Sequence, residues 1–594
     1  MRLLLTSLLL LPLSLGCADV LGLDKYSPGG GGATSSGGTT ASGGTTSMGG
    51  TTVSGGTGGV GGTTASGGTT SSGGTGGVGG TGGVTGGTGG VGGALCTPGE
   101  MMPCYDGPDG TQGVGICTPG MSSCAMDGTW GACAGAVYPK IEDCATAFDE
   151  DCDGVAACAG KHHWSKVTIG TGAVTAGGIT VDGADNPVIV GSFAGNIDFG
   201  GGVQSAATGI DVYVVKLSPA GQQLWTRTFG PAGDQVAAAV AFDESSGAIV
   251  VAGYYSGSVT VGNDTFTSQG NKDIFVFKLD NDGNPVWARS YGGTKDDHAT
   301  GVAVGPAGEI YVVGGYIDQF SVGATPLPLA ASGAENGFLI KLDPAGTPLT
   351  AVGYGDASSQ VLNAVTVDSL GAPWIAGNNT GTVTFDGCAS ATSVGGSDTL
   401  VARLTPEGKC VSARSWGDGT DQWANALAPY PGGAVGAGIN IEGTFTIGGM
   451  TPPGDAATFD IGLVKVPQSG NANFFKRFGD TASHQFLQGL SVDALSNAVL
   501  SGSFASGINF SANAGDKLIP VDTYDRYLAK LDASGNHIWS KSFKNSAGGF
   551  TYVATDSLGR IDVLGTITGQ TDMGGGTIGV IGSPMSLLLA QFSP

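Results

Sequence analysis

The chain has 594 residues, of which 24 are Lys or Arg and 48 are Asp or Glu, and its formal net charge is −24. Such an excess of negative charge is repelled by a phosphate backbone, so the composition argues against nucleic acid as a partner. The 113 glycines and 11 cysteines are unevenly distributed along the chain. This unevenness predicts segments of different physical character rather than one uniform globular domain.

The N-terminus has the features of an export signal. Met1 and Arg2 precede the apolar run LLLTSLLLLPLSLG, which is too short to span a membrane. We therefore expect residues 1–16 to be a signal peptide. The end of this run and the cysteine that follows form the motif SLGC, from Ser14 to Cys17. This motif resembles the lipobox of bacterial lipoproteins, with Ser14 where Leu is commonest. This resemblance implies acylation of Cys17, a membrane anchor, and a place at the outer membrane or cell surface of a Gram-negative bacterium; simple cleavage is the alternative.

Residues 17–95 form a predicted linker. From Ser27 to Gly93 the sequence is almost entirely Gly, Thr and Ser in words such as GGTT and GGVGG. A segment of this composition cannot bury apolar surface and is expected to be disordered. We interpret it as a flexible stalk behind the lipid anchor, the alternative being a tolerated low-complexity expansion.

Residues 96–160 form a cysteine-rich module. An even number of cysteines in a short exported segment with little apolar content predicts four disulfides in place of a hydrophobic core, although the spacing does not give the pairing. Cys388 and Cys410 bracket a hairpin further along and are expected to pair with each other. The eight cysteines of the module are Cys96, Cys104, Cys117, Cys124, Cys133, Cys144, Cys152 and Cys158.

An acidic stretch within this module is a candidate metal site. Asp149, Asp151 and Asp153 alternate before Gly154, a spacing that can bend three carboxylates around a hard cation such as calcium. The segment EDCATAFDEDCDG resembles the metal-binding repeat of MopE-type myxobacterial proteins, which implies calcium or copper binding. Gly160 stands where an EF-hand has its bidentate Glu, so an EF-hand is excluded. A disulfide-pinned acidic turn is the equal alternative. If a cofactor binds, calcium is the one expected.

Residues 161–594 contain a repeat of about 62 residues. Its most regular part is a β-hairpin such as DIFVFKLDNDGNPVW, in which apolar residues alternate around Lys278 before a turn. Two further short apolar segments separate successive hairpins, so each unit has four strands. A parallel β-helix has much shorter coils. An all-β, seven-bladed β-propeller is therefore expected. The position of the hairpin tryptophan marks seven units, at Trp164, Trp225, Trp287, Leu349, Val411, Phe474 and Trp539.

The hairpins resemble the seven-bladed propeller repeat (SBBP type) of large bacterial secreted proteins, in the pattern D-x-F-V-x-K-L-D-x-x-G-x-x-x-W. The resemblance covers Trp164 to Pro594 and implies a binding or scaffolding role without catalytic residues. Leu349, Val411 and Phe474 depart from it at the Trp position, as does Val466-Pro467 at Leu-Asp.

The repeat is cut within its last unit. SLLLAQF, from Ser586, matches the third strand of a unit and lacks the Trp strand that should follow. Trp164 to Ile169 matches that strand and has no preceding hairpin partner. We therefore predict that Trp164–Ile169 pairs with the C-terminal strand, which would otherwise be an exposed apolar edge.

Polar residues recur just before each innermost strand. In a propeller they would surround one mouth of the central channel, where small ligands often bind. The alternative is that a repeat copies its own turn chemistry. The residues of this predicted ring are Asp234, Gln235, Asp296, Asp297, Gln360, Asp421, Gln422 and Gln485.

Together these features predict a non-catalytic binding or interaction scaffold, with an unidentified protein or saccharide ligand and a monomeric propeller. No P-loop, nucleophile elbow or HExxH motif occurs in the sequence. The alternatives are a metal-binding surface protein acting through the acidic module and an enzyme acting at the channel mouth.

Overall fold

The fold is known from a computed structural model, which describes residues 96–594 apart from 109, 141–142, 144–145, 147, 153, 155–159, 318, 329–332, 454–457, 512, 545–549 and 581–584. Among these described residues, regular structure is β throughout, save for a single turn of 3-10 helix at Ala514–Asp516. No helix in the same ranges is long and apolar enough to cross a membrane. The predicted signal peptide, Cys17 and the linker lie outside the described residues.

The cysteine-rich module contains a small sheet. Strands β1 (Met101–Cys104) and β2 (Gly120–Ser123) are antiparallel, with Met101 opposite Ser123. Three disulfides cross the module and interleave in sequence: Cys96–Cys124, Cys104–Cys133 and Cys117–Cys152. Cys144 and Cys158 lie outside the described residues. The structure thus supplies connectivity that the cysteine spacing left open.

Strand β3 (His162–Thr168) follows the module, and the four-stranded units come after it. Unit 1 contains β4 (Val174–Val181), β5 (Pro187–Asp198), β6 (Val203–Leu217) and β7 (Gln223–Phe229). Unit 2 contains β8 (Gly233–Asp243), β9 (Ala248–Tyr255), the hairpin β10 (Ser258–Val261) and β11 (Asp264–Thr267), β12 (Asp273–Leu279) and β13 (Pro285–Tyr291).

Unit 3 contains β14 (Asp297–Val304), β15 (Ile310–Tyr316), the hairpin β16 (Ser321–Val322) and β17 (Thr325–Pro326), β18 (Asn336–Leu342) and β19 (Pro348–Tyr354). Unit 4 contains β20 (Gln360–Val367), β21 (Pro373–Asn379), the pair β22 (Thr382–Val383) and β23 (Ala391–Thr392), β24 (Asp398–Leu404) and β25 (Cys410–Trp416). Unit 5 contains β26 (Gln422–Pro429), β27 (Val435–Ile441), β28 (Asp460–Val466) and β29 (Phe474–Phe478).

Unit 6 contains β30 (Gln485–Val492), β31 (Ala498–Phe504), β32 (Asp525–Leu531) and β33 (His537–Phe543). Unit 7 contains β34 (Phe550–Thr555), β35 (Ile561–Ile567), the hairpin β36 (Gly569–Asp572) and β37 (Thr577–Val580), and β38 (Ser586–Phe592). Within each unit the principal strands form an open antiparallel sheet in chain order, and a short parallel pairing of β6 with β8 joins units 1 and 2.

The predicted pairing of the N-terminal strand is confirmed. Strand β3 lies beside β38, in the sheet order β3-β38-β35-β34, with Trp164 opposite Gln591 and Thr168 opposite Leu587. The strand ends one residue before the predicted Ile169. Trp164 is only partly buried, and its indole N–H donates to the Pro219 carbonyl in the first hairpin turn. The C-terminal strand therefore has a neighbour on each side.

Hydrophobic cores lie between neighbouring units. The third strand of unit 2, β12, is buried at all its positions because both faces of its sheet are covered. One core combines Val250 and Ile274 of unit 2 with Ile310 of unit 3. Another combines Leu564 and Leu587 of unit 7 with unit 1. The described chain is thus an all-β, propeller-like array of packed sheets.

The hairpin tryptophans join one unit to the next. The Trp287 indole N–H donates to the Pro344 carbonyl of the following hairpin at 3.1 Å. Gly346 in that turn has φ of +77°, and a Cβ built there would lie 2.7 Å from the Trp287 ring. The turn therefore requires glycine both for its backbone and for ring contact. This explains why the hairpin repeat keeps a glycine near each tryptophan.

The disulfide predicted within unit 4 is present. Cys388 and Cys410 are joined, which ties the loop after β22 to the start of β25. Cys410 is buried in the hydrophobic core that units 3 and 4 share.

Candidate functional site

The turns between the first and second strands of the units carry a recurrent aspartate. In unit 1, the Asp182 carboxylate accepts hydrogen bonds from the backbone N–H groups of Ala184 and Asn186, both at 2.9 Å. Such bonds replace the ladder bonds that the chain loses as it reverses. Asp243, Asp368, Asp493 and Asp556 occupy the same position in four other units.

A cation from the third strand neutralises most of these aspartates. Lys278 donates to Asp243 at 2.7 Å, and both side chains are at most 5% exposed. Burial alone would raise the pKa of Asp243, but hydrogen bonds from Lys278, Ser245 and Ser246 outweigh it and lower the pKa to about 2. Equivalent ion pairs are Lys216–Asp182, Arg403–Asp368 and Lys530–Asp493.

Units 3 and 5 depart from this pattern because they lack the aspartate. Unit 3 has Gly305 at the aspartate position, and Lys341 instead lies 3.7 Å from Glu309. Unit 5 has Tyr430, and the Lys465 ammonium lies 4.0 Å from the centre of its ring. A cation over an aromatic face is stabilised without a carboxylate. Burial lowers the pKa of Lys465. The turn face therefore differs in charge from one unit to the next.

The turns of units 2 to 6 line an open cavity of about 540 Å³. Its volume is within the range of small-ligand sites. We call it the turn-face cavity. It is lined by Phe242, Glu244, Val304, Gly305, Pro306, Val367, Asp368, Ser369, Pro429, Tyr430, Pro431, Val492, Asp493 and Ala494.

Most of the side chains that line this cavity are apolar, and the distinctive acid among them is Glu244. Phe242, Val304, Val367 and Val492 are the last or penultimate residues of first strands, so they bring apolar walls to the opening. Asp368 is neutralised by the partly buried Arg403, and Asp493 by the buried Lys530. Burial, followed by repulsion from Asp182 and Asp243, raises the pKa of Glu244. The arrangement suits an apolar group that carries or adjoins a positive charge.

The predicted ring of polar residues lies at the other ends of the same strands. Its members Gln235, Asp297, Gln360, Gln422 and Gln485 are at most 1% exposed. The Gln235 amide donates to the carbonyls of Ala232 and Ser258, and the Gln422 amide donates to the Glu442 carbonyl. These side chains hold loop backbone, which is the role of the turn-chemistry alternative. Asp234 is exposed, and Asp296 and Asp421 are partly exposed.

The buried glutamines also meet the preceding unit. A Cβ built on Gly417 would lie 2.3 Å from both Asp398 Oδ1 of unit 4 and Gln422 Oε1 of unit 5. Gly230 and Gly355 stand in the same relation to their own pairs. Desolvation by burial raises the pKa of Asp398. The predicted ring of polar residues is thus a set of contacts between units.

The candidate metal residues are only partly described. Asp149 and Asp151 are 6% and 4% exposed, and Asp149 Oδ2 accepts the Gly154 N–H at 2.9 Å. Asp153 lies outside the described residues. In the described ranges, no group of three His, Cys, Asp or Glu side chains is arranged to hold a metal ion. The calcium prediction stays a prediction.

Sequence reasoning missed the turn-face cavity. The signal for it was the aspartate that recurs after the first strand, as in AFDESSG and TVDSLGA. Each such word reads as an ordinary turn. Only the convergence of several turns makes a cavity.

Comparison with known proteins gives limited similarity. No family model matches the chain. An uncharacterized WD repeat-containing protein of Acanthamoeba polyphaga mimivirus is 33% identical over 112 residues, which are 18% of this chain and 8% of that protein. The chain thus spans under a tenth of the length of this curated relative.

Two solved structures overlap a larger part of the chain. Sqt1 from Chaetomium thermophilum has a TM-score of 0.38 at 12% identity, over 73% of this chain and 100% of that one. A gluconolactonase from Xanthomonas campestris has a TM-score of 0.29 at 12% identity, over 72% and 97%. Similarity at this level carries no argument about activity or partners.

Proposed function

We propose that residues 161–594 form a seven-bladed β-propeller closed by β3, and that it acts as a non-catalytic binding scaffold whose partner docks in the turn-face cavity. The observation that carries this proposal is the convergence of turns from five consecutive units on one cavity. Pairing of β3 with β38 and the core shared by units 7 and 1 support closure.

The turns around the cavity are preorganised. The Lys278–Asp243 and Lys530–Asp493 pairs anchor two of them to the buried third strands. A binding surface fixed before the partner arrives loses less conformational entropy on association. Rigid turns on a repeated sheet framework are suited to recognition.

The proposed partner is a protein segment that presents an apolar side chain beside Lys or Arg. Val304, Val367 and Val492 give the cavity apolar walls. Glu244 supplies a carboxylate that no buried Lys or Arg pairs with in the described structure, and the whole chain has a net charge of −24. Opposite charge accelerates encounter, and the apolar contact then contributes most of the affinity. A saccharide has a mostly polar surface and would bury these apolar walls poorly.

The place of action in this proposal is the cell surface. Export is supported by the disulfides of the module, since such bonds persist in oxidising compartments. Cys17 would be acylated, and residues 17–95 would act as the stalk. Labelled fatty acid should enter the wild-type chain and not Cys17→Ser. Equal labelling of the two would contradict the anchor.

The binding proposal is tested with full-length protein and displayed peptides that carry one apolar residue beside Arg. Val304→Glu should abolish capture because it places a charge in the apolar wall. Val286→Glu is the matched control, because Val286 is 56% exposed on the outer strand β13. Wild type and the control should capture the same peptides. Equal capture by Val304→Glu would overturn the assignment of the cavity.

A further inference from the structure

The junction between unit 7 and unit 1 contains a buried carboxyl group, Asp562, at a sheet position that holds no acid in units 1 to 6. We call this junction the seam. Its hydrophobic part is a core in which Leu564, Leu587 and Leu589 of unit 7 pack with Ile189 and Tyr213 of unit 1. The N- and C-terminal parts of the repeat meet there, so its stability determines whether the array opens.

Unit 7 has no cation at the repeated lysine position. Gln591 of β38 is the equivalent of Lys278 in β12, as SLLLAQF aligns with DIFVFKL. Opposite Gln591 on β35 stands Asp562, whereas Val250 stands opposite Lys278. Unit 7 therefore has an acid opposite the position at which units 1 to 6 have a cation. The residues that replace it in units 1 to 6 are Val188, Val250, Tyr311, Trp374, Gly436 and Val499.

The surroundings of Asp562 provide few groups that could stabilise a negative charge. The side chain is 1% exposed, and Gln591 Nε2 donates to its Oδ1 at 3.1 Å. Its Oδ2 is buried and has no hydrogen-bond partner among the described residues. Arg560 is engaged elsewhere, with Nε donating to Asp556 Oδ2 at 2.5 Å and a second nitrogen 3.7 Å from Asp185. A buried carboxylate with a single amide donor is strongly destabilised.

We propose that Asp562 is kept protonated in the folded protein and acts as a proton-dependent latch, so that its ionisation loosens the seam between units 7 and 1. Loss of the proton would place an unpaired negative charge against the shared core. The seam should then open before the other junctions. The latch is independent of what binds in the turn-face cavity.

Burial is the largest influence on the Asp562 carboxyl group. It raises the pKa of Asp562 well above its usual value, and repulsion from Asp556 and Asp185 adds to the increase, whereas the hydrogen bond from Gln591 and the attraction of Arg560 oppose it. Burial also raises the pKa of Tyr552 to about 12, so that tyrosine stays neutral at ordinary pH. The charged groups that act on Asp562 are Asp556 and Arg560, from the turn between β34 and β35, and Asp185, from the turn between β4 and β5 of unit 1.

The direction of the pH effect follows from these positions. An aspartate in the unfolded chain has a pKa of about 3.9. Because the folded pKa of Asp562 is raised, the protein is most stable, with respect to this group, below that value. Stability is then lost as the pH rises toward the folded pKa. Within this window the folding equilibrium constant falls up to about tenfold per pH unit.

The test compares full-length wild type with Asp562→Asn and Asp562→Val in denaturant unfolding from pH 5 to 9. Asparagine keeps the shape without the charge, and valine is the residue of units 1, 2 and 6 at this position. Both variants should gain stability relative to wild type as the pH rises. Asp234→Asn, an exposed aspartate, is the control and should follow wild type. Parallel profiles for wild type and Asp562→Asn would overturn the latch.

Amide hydrogen exchange in the wild type gives a readout that does not depend on the variants. After correction for the intrinsic pH dependence, protection in β4 and β35 should fall with rising pH, while protection in β15 and β18 stays constant. Isotope-edited infrared spectroscopy at pH 7 should show a protonated carboxyl band that Asp562→Asn weakens. Uniform exchange across all junctions, or no protonated carboxyl band at pH 7, would each contradict the proposal.

Discussion

The cysteine-rich module and the repeated sheets are held together by different interactions. In the described part of residues 96–160, the buried hydrophobic side chains are Cys117, Cys124 and Cys152, all in disulfides. Met126 is 94% exposed there. In the sheets, by contrast, β12 and β18 are buried throughout. A short segment with little apolar content requires several covalent links, whereas the packed sheets bury enough surface to need few of them.

The largest expected effect is in the core of the sheets. Phe277→Ala removes a side chain that is fully buried between units 1 and 2, and it should cost roughly 3–5 kcal/mol of unfolding free energy. Met126→Ala in the module should change stability by less than about 0.5 kcal/mol, because that side chain contacts mostly solvent. Denaturant unfolding of both variants measures the contrast. Comparable losses of unfolding free energy would show that buried apolar side chains do not stabilise the sheets more than the module.

The buried ion pairs should come next. Lys278→Met leaves Asp243 buried without its cation and should cost about 3 kcal/mol near neutral pH. The folded pKa of Asp243 is about 2, below the unfolded value of about 3.9. Its contribution is therefore present above the unfolded value and lost as the pH falls through that window. The variant should show a weaker acid dependence than wild type in unfolding titrations.

The disulfides of the module should have a smaller and local effect. Replacing both Cys117 and Cys152 by Ser should cost about 2–4 kcal/mol within the module. Hydrogen exchange should rise in β1 and β2 and remain unchanged in β12. Propagation of the loss into the sheets would mean that the module and the sheets unfold together, contrary to this prediction.

The smallest effect is expected at a hairpin turn. Asp343 accepts backbone hydrogen bonds from Ala345 and Thr347, at 2.9 and 2.7 Å, in the turn after β18. Asp343→Ala should cost about 1 kcal/mol, as the loss of a comparable capping bond does. Asp343→Asn keeps the acceptor and serves as the control. A thermal melt that separates alanine from asparagine would locate the effect in the hydrogen bonds rather than in the charge.

The sequence by itself determined the strands, the hairpins and the partner of the N-terminal strand. Alternating apolar residues around Lys278 specify a buried strand, because the side-chain period of a strand is two. The same pattern in SLLLAQF, cut before its Trp strand, was enough to assign β3 to β38. The pairing of Cys388 with Cys410 also followed from their positions around one hairpin. These features depend on local chemistry and on the repeat.

The tertiary structure alone decided which ends of the inner strands form a cavity. The polar ring of Gln235, Gln422 and Gln485 has the composition of a ligand site, yet these side chains are buried against loop backbone. The turn-face cavity arises from Phe242, Val304 and other residues that are remote in sequence. The burial of Asp562 likewise could not be predicted from the repeat, because it depends on the register with Gln591 that places Asp562 inside the seam. Burial and convergence depend on how distant units pack, and no single repeat contains that information.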